Sequence, residues 1–407
     1  MLARKQIRLE RSANILDERT GYRIHADWGH VAVLEGGGHL CELGLRSVPN
    51  VNPLWRPQWT TMDPQLYSAA KHRRTYGPAP DGKLLAGIAG HSLSFDHFGP
   101  PSAEETAAGL NTHGEAPCTR WTRSKARDGV ALRYGCTLRE AQIEFERTIS
   151  LDAAHPIIYC EERARNLSPY DRPISWNEHV TFGPPFLEPG TTLFDMPATR
   201  ARVCASGYSE RNFLKPDAEF TWPQAPRKGG GHSDLRLTSD GRFGHYTAQL
   251  LDRSLDLAFI SACNPASGLL VVYAFSRADF PWVGNWEERN NREAAPWSGR
   301  TVCRGIEFST TPFAIPRRET IDQGRLFGES TYRWLAAKST ITVRFMILLW
   351  KVPADFGGVR RFDIHRGQGL VTEAGELGRR LHLPVRPFLQ KPRAAHQSRT
   401  AKSAAPA

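Results

Sequence analysis

Short apolar runs of strand length, many spaced at period two and divided by Gly/Pro turns, constrain this chain more than any other feature. Val130, Leu132, Tyr134, Cys136 and Leu138 alternate with other residues, and Ile143, Phe145, Ile149 and Leu151 nearly do, with Arg147 interrupting that face. Period two puts alternate side chains on one face of a half-buried strand, so these two segments read as antiparallel neighbours. Residues 157–165 continue the pattern after a link, 152–156, short enough for a hairpin-like return. Further strands are expected at 234–237, 246–251, 255–262, 269–275 and 341–352. The unbroken run Leu269-Leu270-Val271-Val272-Tyr273 suits a sheet covered on both faces. Helical signals are confined to 103–108 and 331–337. The expected fold class is therefore all-β, a large antiparallel β-sandwich with few short helices.

The chain has 407 residues, 40% of them apolar, and its longest apolar candidate, Phe345 to Trp350, has only strand length. No membrane partner is expected from such a pattern. No internal repeat argues for a propeller or solenoid. One domain is expected over residues 6–383, followed by a basic, disordered tail at 384–407 rich in Pro, Ala, Lys and Arg. The Gly-rich segment Lys228-Gly229-Gly230-Gly231-His232 reads as a flexible loop. The start, Met1 to Arg11, is basic and lacks an apolar core of the secretory type, so the cytoplasm is the expected location. Seven scattered cysteines without a C-x-x-C pair favour reduced thiols over a disulfide framework or a zinc site, so no metal is expected.

The formal charge of +11 raises the question of nucleic acid. Arg386, Lys391, Arg393, Arg399 and Lys402 carry nearly half of it in the tail, and the remaining basic residues are interleaved with acids. A solvated surface explains that distribution better than a phosphate-tracking groove, so no nucleic-acid partner is expected. The excess does favour an anionic small substrate such as a sugar phosphate or uronate.

Three short segments carry the candidate chemistry: Thr112-His113-Gly114-Glu115, Trp176-Asn177-Glu178-His179-Val180-Thr181-Phe182-Gly183-Pro184-Pro185-Phe186, and Gly305-Ile306-Glu307-Phe308. Two histidines and a carboxylate suffice to move protons on a sugar without a metal or cofactor. Ring opening of an aldose needs one group to take the anomeric hydroxyl proton and another to protonate the ring oxygen. Positioned groups of suitable pKa contribute roughly 100- to 10,000-fold each. An ionised carboxylate beside an imidazolium is the charge assignment expected here.

The order His-Gly, His-x-x-Phe-Gly, Gly-Ile-Glu resembles the aldose 1-epimerase (galactose mutarotase-like) family, spread over roughly residues 25–350. The resemblance implies the large β-sandwich of that family, its supersandwich. It makes His179 the general acid at the ring oxygen, Glu307 the base, and His113 an assistant that holds the sugar. Asn177-Glu178-His179 departs from the family's Asn-His arrangement, and Glu115 stands where the family has a second glycine. Glu115 could meet a sugar hydroxyl or pair with Arg120. The family's arginine before the His-Gly segment is absent, and His97 or Asp96 could occupy its place. Trp282 and Trp286 are candidates for the aromatic platform on which a pyranose packs, or else core fillers. Arg56 could meet an anionic group or be an ordinary surface residue.

The primary reading is an isomerase that interconverts sugar anomers by acid–base catalysis, with a small-molecule sugar as its partner. The alternative is a non-catalytic carbohydrate-binding protein on the same sandwich. A glycan lyase or hydrolase would want a pair of carboxylates or a Tyr/His pair about the scissile bond, and no clear pair is visible. Oligomeric state is not legible.

Overall fold

A computed structural model describes residues 7–124 and 130–389. The strands form two large sheets, one twelve-stranded and one eight-stranded among the described residues. The larger sheet begins as a meander of four strands from Arg8–Leu16 to Leu40–Leu45. At its centre run His91–Asp96, Arg172–Phe182, Val302–Ser309, Trp282–Arg289 and Phe243–Leu251, each antiparallel to the next. In the smaller sheet, the neighbouring strands Leu132–Leu138, Ile143–Leu151 and Ile157–Asn166 pair antiparallel as their periodicity predicts. Leu151 sits opposite Ile158, so 152–156 is the expected hairpin return.

Between the sheets lies the main core. Phe308 of the larger sheet stacks on Phe275 of the smaller, with ring centroids 4.3 Å apart. The Leu269–Ser276 strand shows why its run is unbroken. Leu269, Val271, Tyr273 and Phe275 enter the inter-sheet core, whereas Leu270, Val272 and Ala274 enter a second cluster with Phe362, Val371 and Leu383. That second cluster is roofed by a three-stranded sheet, Val359–His365, Gln368–Glu373 and Arg380–Pro384. The outer face of the larger sheet is covered instead by loops and the helices Ala69–Tyr76 and Asp81–Gly87, and here the cleft forms.

Several local expectations are revised. The helix expected at 331–337 is a strand, Arg333–Leu335, paired with Arg172, Pro173 and Ile174. An unpaired sheet edge outweighs a weak local preference. The strand expected at 234–237 is His232–Asp234, and beyond it Leu235 turns its carbonyl to Arg304. Helix 103–108 is present as Ala103–Ala107, closed by a capping box on Ser102 and Glu105. The Gly-rich loop turns openly between the paired strands Gln224–Pro226 and His232–Asp234. Of the expected tail, residues 384–389 lie against the body, with the Arg386 guanidinium 4.0 Å from the Tyr159 ring centroid and Phe388 edge-on to the same ring. Residues 390–407 are outside the described residues. All seven cysteines are free, five of them buried. No described helix is long and apolar enough to cross a membrane.

Candidate active site

Strand alternation divides Arg172–Phe182 between two environments. Trp176, Val180 and Phe182 point into the core, so Asn177, His179 and Thr181 face the opposite way, over the outer surface of the sheet. The next strand, Val302–Ser309, sends Ile306 and Phe308 inward and Glu307 outward. Its register places Glu178 beside Phe308 and Thr181 beside Gly305, which sets His179 level with Glu307. One strand further on, Gly284 lies beside Glu307 and Trp286 beside Gly305, and Tyr246 then lies beside Trp286. Residues remote in sequence thus form two parallel rows on the floor of one cleft.

Both glycines in these rows make room for the carboxyl. A Cβ on Gly305 would sit 2.4 Å from Glu307 Oε1, and one on Gly284 would sit 2.1 Å from the Tyr246 hydroxyl and 3.3 Å from Glu307 Oε2. Gly305 of the Gly-Ile-Glu segment is therefore required by close approach rather than by its backbone angles.

His179 Nε2 lies 3.3 Å from Glu307 Oε1, and its Nδ1 lies 3.0 Å from Thr181 Oγ1. Asn177 Nδ2 donates to Glu307 Oε2 at 3.4 Å. Among the described residues, Trp286 Nε1 is buried with no hydrogen-bond partner, and Glu307 Oε1 has only the His179 contact, which lacks hydrogen-bond geometry. Buried polar atoms are rarely left unsatisfied, and such atoms facing a cleft are suited to a polar ligand. Burial raises the Glu307 carboxyl to about 8, and burial lowers His179 to about 4. Desolvation favours the neutral form of each group, against the ionised carboxylate and imidazolium expected from the sequence.

His113 comes from the loop over the floor, in a left-handed backbone conformation with φ of 63°. Its ring stacks on Phe98 at 5.3 Å and meets the His179 ring edge-on at 5.2 Å. Gly99 N–H donates to His113 Nδ1 at 3.2 Å, which leaves the proton of the neutral ring on Nε2. Burial, followed by the neighbouring His179, His97 and Arg292, holds His113 well below the usual imidazole range. It is thus a neutral donor. The cleft encloses about 600 Å³, within the range of small-molecule sites. His113, His179, Glu307 and Trp286 all line it.

The other expected substrate contacts fall elsewhere. Glu115 accepts from the backbone N–H groups of Arg139 and Ala141, both at 2.9 Å, and pairs with neither a cleft group nor Arg120, which goes to Glu35. His97 is buried outside the cleft lining, and Asp96 is held by Arg172 and Arg317. Trp282 is fully buried, its Nε1 donating to Ser330 O at 2.8 Å, because it sits at the covered end of its strand. Arg56 faces a separate groove with Arg8 and Arg46. Its neighbour Trp55 turns inward to stack on Trp297 at 6.1 Å, leaving the next side chain on the other side. Tyr208, Tyr246, Arg292 and Trp297 line the cleft without a distinguishing sequence context. His179 and Glu307 touch, so the open space of the cleft lies above the pair and not between them. No cluster of three or more His, Cys, Asp or Glu among the described residues could hold a metal ion.

The comparisons with solved structures decide the fold. A candidate aldose 1-epimerase from Klebsiella pneumoniae superposes with a TM-score of 0.59 at 14% identity, over 83% of this chain and 81% of that one. This is the galactose mutarotase-like fold. A galactose mutarotase-like protein from Clostridium acetobutylicum gives a TM-score of 0.53 at 14% identity, covering 85% of this chain and 99% of that one. Galactose 1-epimerase from Lactobacillus acidophilus gives 0.50 at 11% identity, over 86% and 99%. No family model and no curated protein matches the sequence. At these identities the mutarotase-like likeness is one of fold alone, and fold does not fix chemistry.

Proposed function

We propose that this protein is an aldose 1-epimerase-like isomerase acting on a reducing sugar. The observation that carries the reading is the meeting of His179 and Glu307 at 3.3 Å on the cleft floor, with burial shifts that leave one transferable proton in the pair near neutrality. The sugar's C–H face packs on Trp286, and its anomeric end lies over the pair. One member accepts the O1 proton while the other donates to the ring oxygen. The C1–O5 bond breaks to give the open aldehyde, rotation about C1–C2 presents the other carbonyl face, and the same transfers run backwards to close the ring. His179 as acid and Glu307 as base is the direction that the family resemblance suggests. A proton passed from the carboxyl to the imidazole brings the resting neutral pair into that state. His113 Nε2–H steadies the developing oxygen charge from above. The free thiols suit a reducing, cytoplasmic setting.

The test is relaxation of pure α-anomers followed by polarimetry or NMR. Acceleration by the protein, with Glu307→Gln and His179→Asn falling 100-fold or more while remaining folded, is the expected result. Saturable sugar binding with no acceleration across a broad panel would select the non-catalytic binding protein instead.

A further inference from the structure

One cation stands in the cleft wall, and the proton-transfer pair does not use it. Arg292 lines the cleft with its guanidinium 4.6 Å from the Trp297 ring centroid, 5.4 Å from Tyr208 and 5.8 Å from Trp286. Three aromatic faces hold a normally mobile side chain in one place. Glu288, fully buried, accepts from the backbone N–H groups of Asn291 and Arg292 at 2.9 Å each and approaches Arg292 Nε at 3.4 Å. Arg292 Nη2 donates to the Tyr208 hydroxyl, and Tyr208 is itself in the left-handed region at φ of 61°. The two acids on the same wall are engaged elsewhere: Asp81 accepts from the Thr112 hydroxyl, and Glu293 bridges Arg211 and Arg242.

Resting on the carbohydrate reading of the cleft, we propose that Arg292 determines specificity by binding an oxyanion on the exocyclic carbon of the sugar, so that the substrate is an anionic aldose. Trp286 supplies the spacing. Its ring centroid lies 5.6 Å from that of His179 and 5.8 Å from the guanidinium carbon, so a pyranose against the indole has both the acid–base pair and Arg292 within its own length. A planar fork fixed by stacking loses little freedom on meeting a carboxylate or phosphate. A neutral hydroxymethyl group would form no ion pair with the guanidinium, whose near carboxylate, Glu288, lies on its Nε edge.

Calorimetric titration of the full chain with non-reducing glycosides separates this proposal from turnover, because they cannot open. The probes are methyl glucoside, methyl glucuronide and methyl glucoside 6-phosphate. Either anion should bind about 10- to 100-fold more tightly than the neutral glycoside, with a preference that shrinks as salt is raised. The tighter anion identifies carboxylate or phosphate as the source. Arg292→Gln should collapse the preference, and Arg292→Lys should retain part of it. Equal affinity for neutral and anionic probes, no binding of either anion, or equal weakening of all probes by Arg292→Gln would overturn the proposal. Anion-selective binding without anomerisation would instead remove the isomerase reading and leave this one standing.

Discussion

A carboxyl taken out of water holds its proton, and Glu307, with its side chain sealed among Asn177, Gly284, Gly305 and His179, is held to about 8 by burial. His179 is held to about 4 by the same cause. The pair titrates as a unit, so anomerisation should be bell-shaped, falling above about pH 8 as the transferable proton is lost and below about pH 4 as the imidazole ionises. A profile that is level through pH 9–10, measured by polarimetry, would contradict the pairing. Stability has its own sign. Because the folded carboxyl is raised above its unfolded value, stability present at low pH is lost as pH rises through the folded value. Glu307→Gln removes that loss. It should stabilise the protein at pH 8 by on the order of 2–4 kcal/mol in urea unfolding while abolishing turnover. Gly305→Ala tests geometry rather than charge. Its methyl would displace the carboxyl, costing at least 10-fold in kcat with a normal circular dichroism spectrum.

Along the Arg172–Phe182 strand, the residue beside the catalytic candidate has a different task. Glu178 points between the sheets, where its Oε2 lies 2.7 Å from His91 Nε2 and 3.2 Å from Arg147 Nη2, and its Oε1 accepts from Trp176 Nε1 at 3.0 Å. Arg147 also binds Glu162, and all four charged or titratable side chains are fully buried. Two anomalies of the sequence, an arginine interrupting an apolar face and a glutamate inserted before the histidine, are thus the two halves of one buried network. Removing one partner strands the others, so Arg147→Met should cost about 3–5 kcal/mol. Burial pushes Glu162 well above the carboxylate range, with the neighbouring Glu178 acting in the same direction. Glu162→Gln should therefore cost much less than Arg147→Met, about 1 kcal/mol. Equal losses in the two variants, read from urea midpoints, would show that Glu162 is ionised.

Across the whole molecule, three layers separate chemistry from support. The cleft is on the outer face of the larger sheet, and the three-stranded roof is on the far side of the smaller one. Phe362, buried under that roof against Phe259, should cost about 3–5 kcal/mol when changed to Ala and leave sugar affinity unchanged, since it belongs to the far cluster and does not line the cleft. A shift in affinity in calorimetry would mean that the layers are coupled.

Periodicity alone made the all-β architecture, the hairpin around 152–156 and the double-sided burial of Leu269–Phe275 legible, because alternation is a local property of a pleated strand. Short motifs likewise singled out His113, His179 and Glu307, which the fold gathers in one cleft. Contacts set by register were beyond the sequence. Whether Trp282 or Trp286 lines the cleft depends on which end of one strand is roofed, and the Arg333–Leu335 strand exists because a distant edge needs pairing. Glu178 belongs to Arg147, and Arg292 to three rings, only once the chain has closed. Side-chain alternation is encoded by neighbours in the chain, whereas desolvation and charge pairing depend on what packs across from them, and only the tertiary structure supplies that.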